Sequence, residues 1–402
     1  MLKEIHRRNT IPILITLIAI FILICIPNKF PQKIYENTER VSARVLSTDE
    51  SFIINNGLIR TGEQLCEVEI LKGKFKGKTV QGSNMLSGSL EQDKIFAVGD
   101  KILVTLDYTG DQIRVATLVD HYRINYEILL VGIFVVFLIG FSGTVGIKAI
   151  LSFIFTILSM WKILIPLFLL GYNPVIIGMI TTITLICVTI GLVYEIDRRS
   201  LAGIIGALSG SIVTCFMALF FVSKFKIHGA VMSYSETLLY SGYENLNLTE
   251  IFIASIFIAS AGAVMDVAVD ITSAVAEVVE KKPDITKFEA IKSGINVGRS
   301  IMGTMMTTLL LAYSGGYIGL LMVFMAQGTP IINILNLKYV SSEILHTLIG
   351  SFGLITVAPF TALASGLLLA NSDDKSVISL LNKNKDLLKN VSENKLNAIF
   401  RK

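Results

Sequence analysis

The residues best placed to do chemistry are Asp266 and Asp270, four apart in the apolar stretch that begins at Ile251. That spacing puts both carboxylates on one helical face, which Ser273 and Glu277 continue. A carboxylate within or at the edge of a lipid-soluble segment needs water, a partner or a proton. Arg299 opens the next apolar segment from the same side. If the first helix enters near Thr249, about twenty residues at ~1.5 Å each carry it across by residue 270. Asp266 then lies about a turn inside the boundary and Arg299 reaches a similar depth, so an Asp266/Asp270 to Arg299 ion pair is the physical expectation. Two readings of that pair stand side by side. It is a static clamp between neighbouring helices, or one carboxylate titrates or binds a cation during a transport cycle.

Other residues extend the same theme. Thr304, Thr307 and Thr308 put hydroxyls on the span facing the acids. Gly315 and Gly316 interrupt the long run from Ile301 to Gln327, which reads as one tilted helix or as two half-helices meeting at a break. Lys162, beside Pro166, is either a cation facing an internal cavity or a lysine snorkelling to the interface. Gly203, Gly206 and Gly210 form a small-residue stripe that marks close helix packing.

Enzyme chemistry finds little footing, and the chain reads as no enzyme. Intramembrane aspartyl proteolysis needs acids from two helices, whereas both acids here share one, and no GxGD occurs. No nucleophile elbow, phosphate-binding glycine loop or HExxH is present. The four histidines show no ligand spacing, with His121 and His228 read as surface residues, and no Cys/His pattern suits zinc. No metal or cofactor is expected.

The elements that must hold these residues follow from composition. Of 402 residues, 52% are hydrophobic and only 16% charged, well short of the quarter usual in soluble proteins. The apolar residues fall in long runs, which predicts an all-α polytopic membrane bundle of about eight spans. An N-terminal anchor occupies residues 1–27. Seven spans lie near 126–142, 149–170, 174–194, 201–222, 250–270, 300–327 and 347–369. Lys3, Arg7 and Arg8, Lys148, Arg198 and Arg199, the lysines from 281 to 292 and the basic tail 371–402 fall on one side. By the positive-inside rule both termini are cytoplasmic and the protein is a multi-pass cell-membrane protein.

Residues 28–125 read as a small β-barrel, OB-like, inserted after the first helix and lying outside. Five strands are expected at 41–46, 65–71, 78–81, 101–106 and 113–118, separated by Asn56-Gly57, Lys72-Gly73, Gly99-Asp100 and Gly110-Asp111 turns. The KGKFKGK run from Lys72 to Lys78 is an anion contact or, with better support, a solvated hairpin. No stacking aromatics recur along the strands, so no nucleic-acid partner is expected.

AGAVMDVAVDITSAVAEV (261–278), SGINVGRSIMGTMMTTLLLAYSGG (293–316), GSFGLITVAPFTAL (350–363) and GYNPVIIG (171–178) resemble stretches of the YibE/F-like family of bacterial membrane proteins. The resemblance spans residues 126–370, and the preceding β domain is also typical of that family. It implies a multi-span domain and the topology-based description of permease, with no defined activity. The family pattern carries an acid after the Gly-Arg pair and an amide in the GTM segment. Ser300 and Thr307 stand there, so a second acid beside Arg299 is not implied. The leading expectation is a transporter of an unknown small substrate or ion. The alternative is a non-transporting receptor or assembly subunit that binds through its outer β domain. The expected surroundings are the lipid bilayer and a second copy or a partner membrane subunit.

Overall fold

The computed structural model describes residues 2–27 and 37–370, and the side chains from residue 11 onward within them. The basic tail 371–402 and the side chains of Lys3, Arg7 and Arg8 lie outside the described residues. The chain divides into two compact units, one built from residues 28–141 and the other from residues 1–27 together with those from 142 onward.

The first unit is a closed five-stranded barrel: β1 (Thr38–Asn56), β2 (Ile59–Ile70), β3 (Thr79–Ser87), β4 (Lys101–Thr109) and β5 (Gln112–His121), in the order β1-β2-β3-β5-β4. Closure comes from the antiparallel β1–β4 pairing, which matches Val41 with Val104 and Ala43 with Ile102. The alternation read in the sequence places Val41, Ala43, Val45, Ile102, Val104 and Leu106 inside, all nearly fully buried. Strands β1 and β3 run well past their expected ends, because the hairpin at Gly57 (φ +67°) keeps β1 and β2 paired out to Asn56 and Ile59 and β3 follows β2 to the Thr61–Ser87 pair. Gln64 and Asn84 form a buried network with the Phe96 and Lys94 carbonyls that pins the loop before β4. Burial pushes the Cys66 thiol up to about 11, which makes it an inert core residue.

The lysine run is structural. Phe75 fills the barrel end, Lys74 Nζ pairs with Asp111 at 2.9 Å and Lys78 Nζ donates to the Asp111 carbonyl at 3.3 Å. The hairpin thus ties itself to the β4–β5 turn. Helix α2 (Ile124–Ser142) follows the barrel in sequence and carries no buried residue.

The second unit is helical. It comprises α1 (Leu2–Cys25), α3 (Thr144–Ser159), α4 (Ile165–Leu169), α5 (Pro174–Tyr194), α6 (Arg198–Lys224), the short α7 (Ser235–Tyr240), α8 (Leu248–Lys281), α9 (Lys287–Ser314), α10 (Ile318–Ala326), α11 (Ile331–Asn336) and α12 (Lys338–Leu369). Among the described residues seven helical stretches are long and apolar enough to cross a membrane, and the shorter apolar run Ile11–Cys25 belongs to α1. The protein is therefore a multi-pass membrane protein. One end of the bundle is marked by Leu248 and Lys338, the opposite end by Lys282 and Lys287.

Two spans are irregular for identifiable reasons. Pro166 has no N–H to give the Lys162 carbonyl, and the helix widens into a π-turn over Met160–Leu164. Gly315 and Gly316 tighten the other into a 3₁₀ turn, Gly315–Tyr317, between α9 and α10. The choice between a single span and two half-helices resolves as two helical segments joined by one short turn.

Helix α8 is the central post, with Val264, Val267, Ala268 and Ile271 fully buried among α5, α6, α9 and α12. The glycine stripe of α6 does what its spacing predicted. A Cβ on Gly206 would overlap Thr361 of α12, and one on Gly210 would stand 2.9 Å from Val357 Cβ. On α9, Gly298 receives Ile271 of α8 and Ala358 of α12.

Candidate functional site in the α9–α12 contact

The acids singled out by the sequence come first. Asp266 and Asp270 share one face of α8 with Gly262, Ser273 and Glu277, and all five are exposed. Arg299 is exposed too, and the expected Asp266/Asp270 to Arg299 ion pair does not form. Among the described residues, the ion pairs that join helices of the bundle or their caps are Arg199 to Glu280 at 3.6 Å, Lys148 to Glu195 at 3.4 Å and Lys282 to Glu289 at 3.8 Å. By helical rise, Asp270 and Arg299 are each about 17–18 Å from the α8–α9 turn. Azimuth defeats the pair. Ile271 and Gly298 meet on the contact line between these antiparallel helices. One step back on α8 and one step forward on α9 rotate both side chains by about 100° in the same sense. They therefore leave on opposite sides of the plane of the two helices. Tyr194 of α5 flanks the acid stripe by bonding the Ser273 hydroxyl and the Val269 carbonyl.

The remaining expected residues are spoken for locally. Thr304, Thr307 and Thr308 are exposed, and their hydroxyls donate to the carbonyls of Ile301, Gly303 and Thr304 of their own helix. Lys162 is half-buried and donates to the Ile26 carbonyl, past the last turn of α1, at 2.9 Å. A helix end is where a cation is held. Lys148, read as part of a connection, lies inside α3, its ammonium largely covered against Glu195. Gly315 and Gly316 form the 3₁₀ turn, and a Cβ on either would meet open space.

That turn is where the buried polar chemistry gathers. Tyr313 and Tyr317 bracket the two glycines, four apart, at the junction of α9 and α10. Tyr313 stacks on His346 of α12, ring centroids 4.5 Å apart and 19° from parallel. One turn earlier on α12, Glu343 lines the same cavity as Tyr317. On α8, the Phe252 ring lies 6.4 Å from that of His346. Glu343 lies five residues into α12 and Phe252 four residues into α8, which places both about 6–8 Å from the Lys338 end.

Three side-chain atoms of this group are buried without a partner: Tyr313 Oη, Glu343 Oε1 and His346 Nε2. Each such atom costs about 1–3 kcal/mol relative to a satisfied one. Beside them, between α9–α10 and α12, lies a cavity of about 230 Å³. Leucines and Ile344 line it, with Glu343, Tyr317, Ser314 and Thr347 as its polar members. An acidic residue lining an apolar cavity next to a break in a helix is a ligand-site arrangement.

Sequence reasoning passed over this group. A signal was present: an acid and a histidine three apart in SEILHTLIG, and two tyrosines four apart around the glycine pair. Ligand spacing reveals a histidine only when its partners are near in sequence, whereas the neighbours of His346 are Phe252 of α8 and Tyr313 of α9. Among the described residues no three His, Cys, Asp or Glu come together to hold a metal.

Comparison with known proteins agrees with this architecture. The family model for YibE/F-like proteins matches residues 130–371 and that for the YibE/F family N-terminal domain matches residues 34–121. No curated protein and no solved structure matches the chain.

Proposed function

We propose that this chain, which belongs to the YibE/F-like family, is a permease that loads a small substrate or ion at the Glu343 cavity. The observation that carries the reading is the trio of unpartnered buried atoms, Tyr313 Oη, Glu343 Oε1 and His346 Nε2, gathered where α9 breaks. Unpaired polar atoms destabilise a resting bundle, so their retention fits a group that is occupied during a working cycle. In this reading the Lys338 end faces out, both termini face in, and the substrate leaves toward the acid stripe of Asp266 and Asp270. The Gly315-Gly316 turn is the hinge, since glycine and a 3₁₀ turn resist bending least. Catalysis plays no part in it.

The test is access. In a chain whose four cysteines are replaced, Ser314→Cys is exposed to a membrane-impermeant thiol reagent from either side of sealed vesicles. A permease gives labelling from both sides. The Gly315→Ala/Gly316→Ala variant, which fits sterically, should slow labelling from the inner side several-fold. Labelling from the outside alone, or from neither side, refutes the reading.

One observation favours the receptor alternative. Beyond the barrel wall, Phe52, Ile54 and Leu58 of the β1–β2 hairpin are exposed, as a partner-binding surface would require. Removal of residues 36–122 separates the two readings. A permease keeps two-sided access in the shortened chain, and a receptor loses its only binding element.

A further inference from the structure

We propose that the cleft between the β4–β5 end of the barrel and the first turns of α2 holds the headgroup of an anionic phospholipid, with its phosphate on Lys101 and its acyl chains along α2. The site lies wholly within the first unit and does not depend on the permease reading.

The chain changes solvent at this point. Strand β5 ends at His121, and α2 begins at Ile124. Helix α2 is long and apolar enough to cross a membrane, has no charged residue beyond Glu127 and buries none of its residues. In the corner lies a cleft of about 670 Å³, within the ~300–1,000 Å³ range of small-molecule sites. The barrel end contributes Lys101 and Tyr122 to its wall, and α2 contributes Asn125, Tyr126 and Leu129. Tyrosines at the start of a membrane helix sit at headgroup level, so the cleft opens where headgroups are.

Charge selects the ligand. The acids of this corner are already engaged. Asp100 accepts the Ala97 N–H at 2.8 Å and stands 3.8 Å from His121 Nδ1. Asp120 accepts the His121 N–H at 2.7 Å and pairs with Arg123 at 2.9 Å. Glu127 adds its charge beside the same arginine, which is thereby neutralised. Lys101 is not. Its ammonium is held over the Tyr122 ring, 4.8 Å from the centroid, and among the described residues no carboxylate pairs with it. Nor do the side chains of Asn125 and Tyr126 make a hydrogen bond among those residues. The cleft therefore has one positive charge to spare, with the N–H and O–H donors of an ammonium, an amide and a phenol. A phosphate diester accepts such donors and brings the opposite charge. A zwitterionic headgroup also carries an ammonium, for which both nearby aspartates are taken. A soluble phosphate would leave Tyr126 and Leu129 in water, 76% and 59% exposed. An acyl chain covers both and continues along the bare surface of α2.

The readout must be local, because lipid covers the bundle as well. In the full chain with its four cysteines replaced, Val98→Cys carries an environment-sensitive fluorophore; Val98 is exposed and adjoins Gly99 of the cleft wall. The labelled protein in nonionic detergent is titrated with dioleoyl-phosphatidylglycerol or dioleoyl-phosphatidylcholine. The anionic lipid should half-saturate the signal at about five-fold lower mole fraction, the factor that one cation at a membrane surface supplies. Lys101→Gln should erase that difference and Lys101→Arg should keep it. Added salt should shrink it in the native sequence, which tests the charge even if the first variant does not fold. Glycerol 3-phosphate, the same phosphate ester without acyl chains, should leave the signal unmoved. Equal midpoints for the two lipids, no response to either, a difference that survives Lys101→Gln or ignores salt, or a response to glycerol 3-phosphate that matches the lipid's would each overturn the proposal.

Discussion

The bundle holds two acidic places, and they differ in kind. On α8, Asp266 and Asp270 lie on an exposed stripe where, among the described residues, no arginine or lysine pairs with them. On α12, Glu343 lies in the α9–α12 contact, shares a cavity wall with Tyr317 and keeps one oxygen buried without a partner. Both sit on long apolar helices, and composition does not tell them apart. What separates them is rotation about the helix axis. Burial makes an unpaired oxygen costly, and that cost is the better pointer to a site.

Four experiments would break or sharpen the contrast, from the largest expected effect downward. Both places hang on the close approach of α6 and α12. Gly206→Leu should abolish folding, since even a Cβ there overlaps Thr361. The check is recovery of monodisperse protein in detergent; a folded variant would mean that α6 and α12 stand further apart. Next comes the buried group. Tyr313→Phe keeps the ring on His346 and removes only the orphaned hydroxyl, so the unfolding midpoint should rise by the equivalent of about 1–3 kcal/mol. A fall would show that the hydroxyl is already satisfied.

On the exposed stripe the expectation inverts. Asp266→Leu should shift stability in detergent by no more than about 0.5 kcal/mol, as for any surface position without a partner. Thermal unfolding of the two variants side by side decides it, and a large loss would reveal a hidden partner for Asp266. The smallest effect calibrates the others with an acid that is paired. Arg123 donates to Asp120 at 2.9 Å in the barrel and holds its carboxyl below the ordinary value of 3.8. A depressed carboxylate lends stability that is present above the unfolded value and is lost as pH falls through the folded one. Acid melts of the full chain should therefore show a slightly smaller loss in Asp120→Asn than in the native sequence. Identical acid profiles would mean that the pair contributes nothing.

Part of this was legible beforehand. The spans follow from hydropathy, because lipid accepts little else. The barrel follows from alternation and turns, and the α6 glycines announced the packing that Gly206 and Gly210 make. The acids of α8 were visible as residues, but their neighbours were not. Glu343 and His346 went unread because their significance lies in Tyr313, Tyr317 and Phe252, which are far away in sequence.

By itself, then, the sequence determined the classes of element and their order, since both are properties of a segment and its solvent. The tertiary structure decided who meets whom. It turned Asp270 and Arg299 to opposite sides of one hairpin, and it closed three helices around Glu343 and His346. Pairing depends on the rotation of one helix against another, and packing of the whole bundle sets that angle.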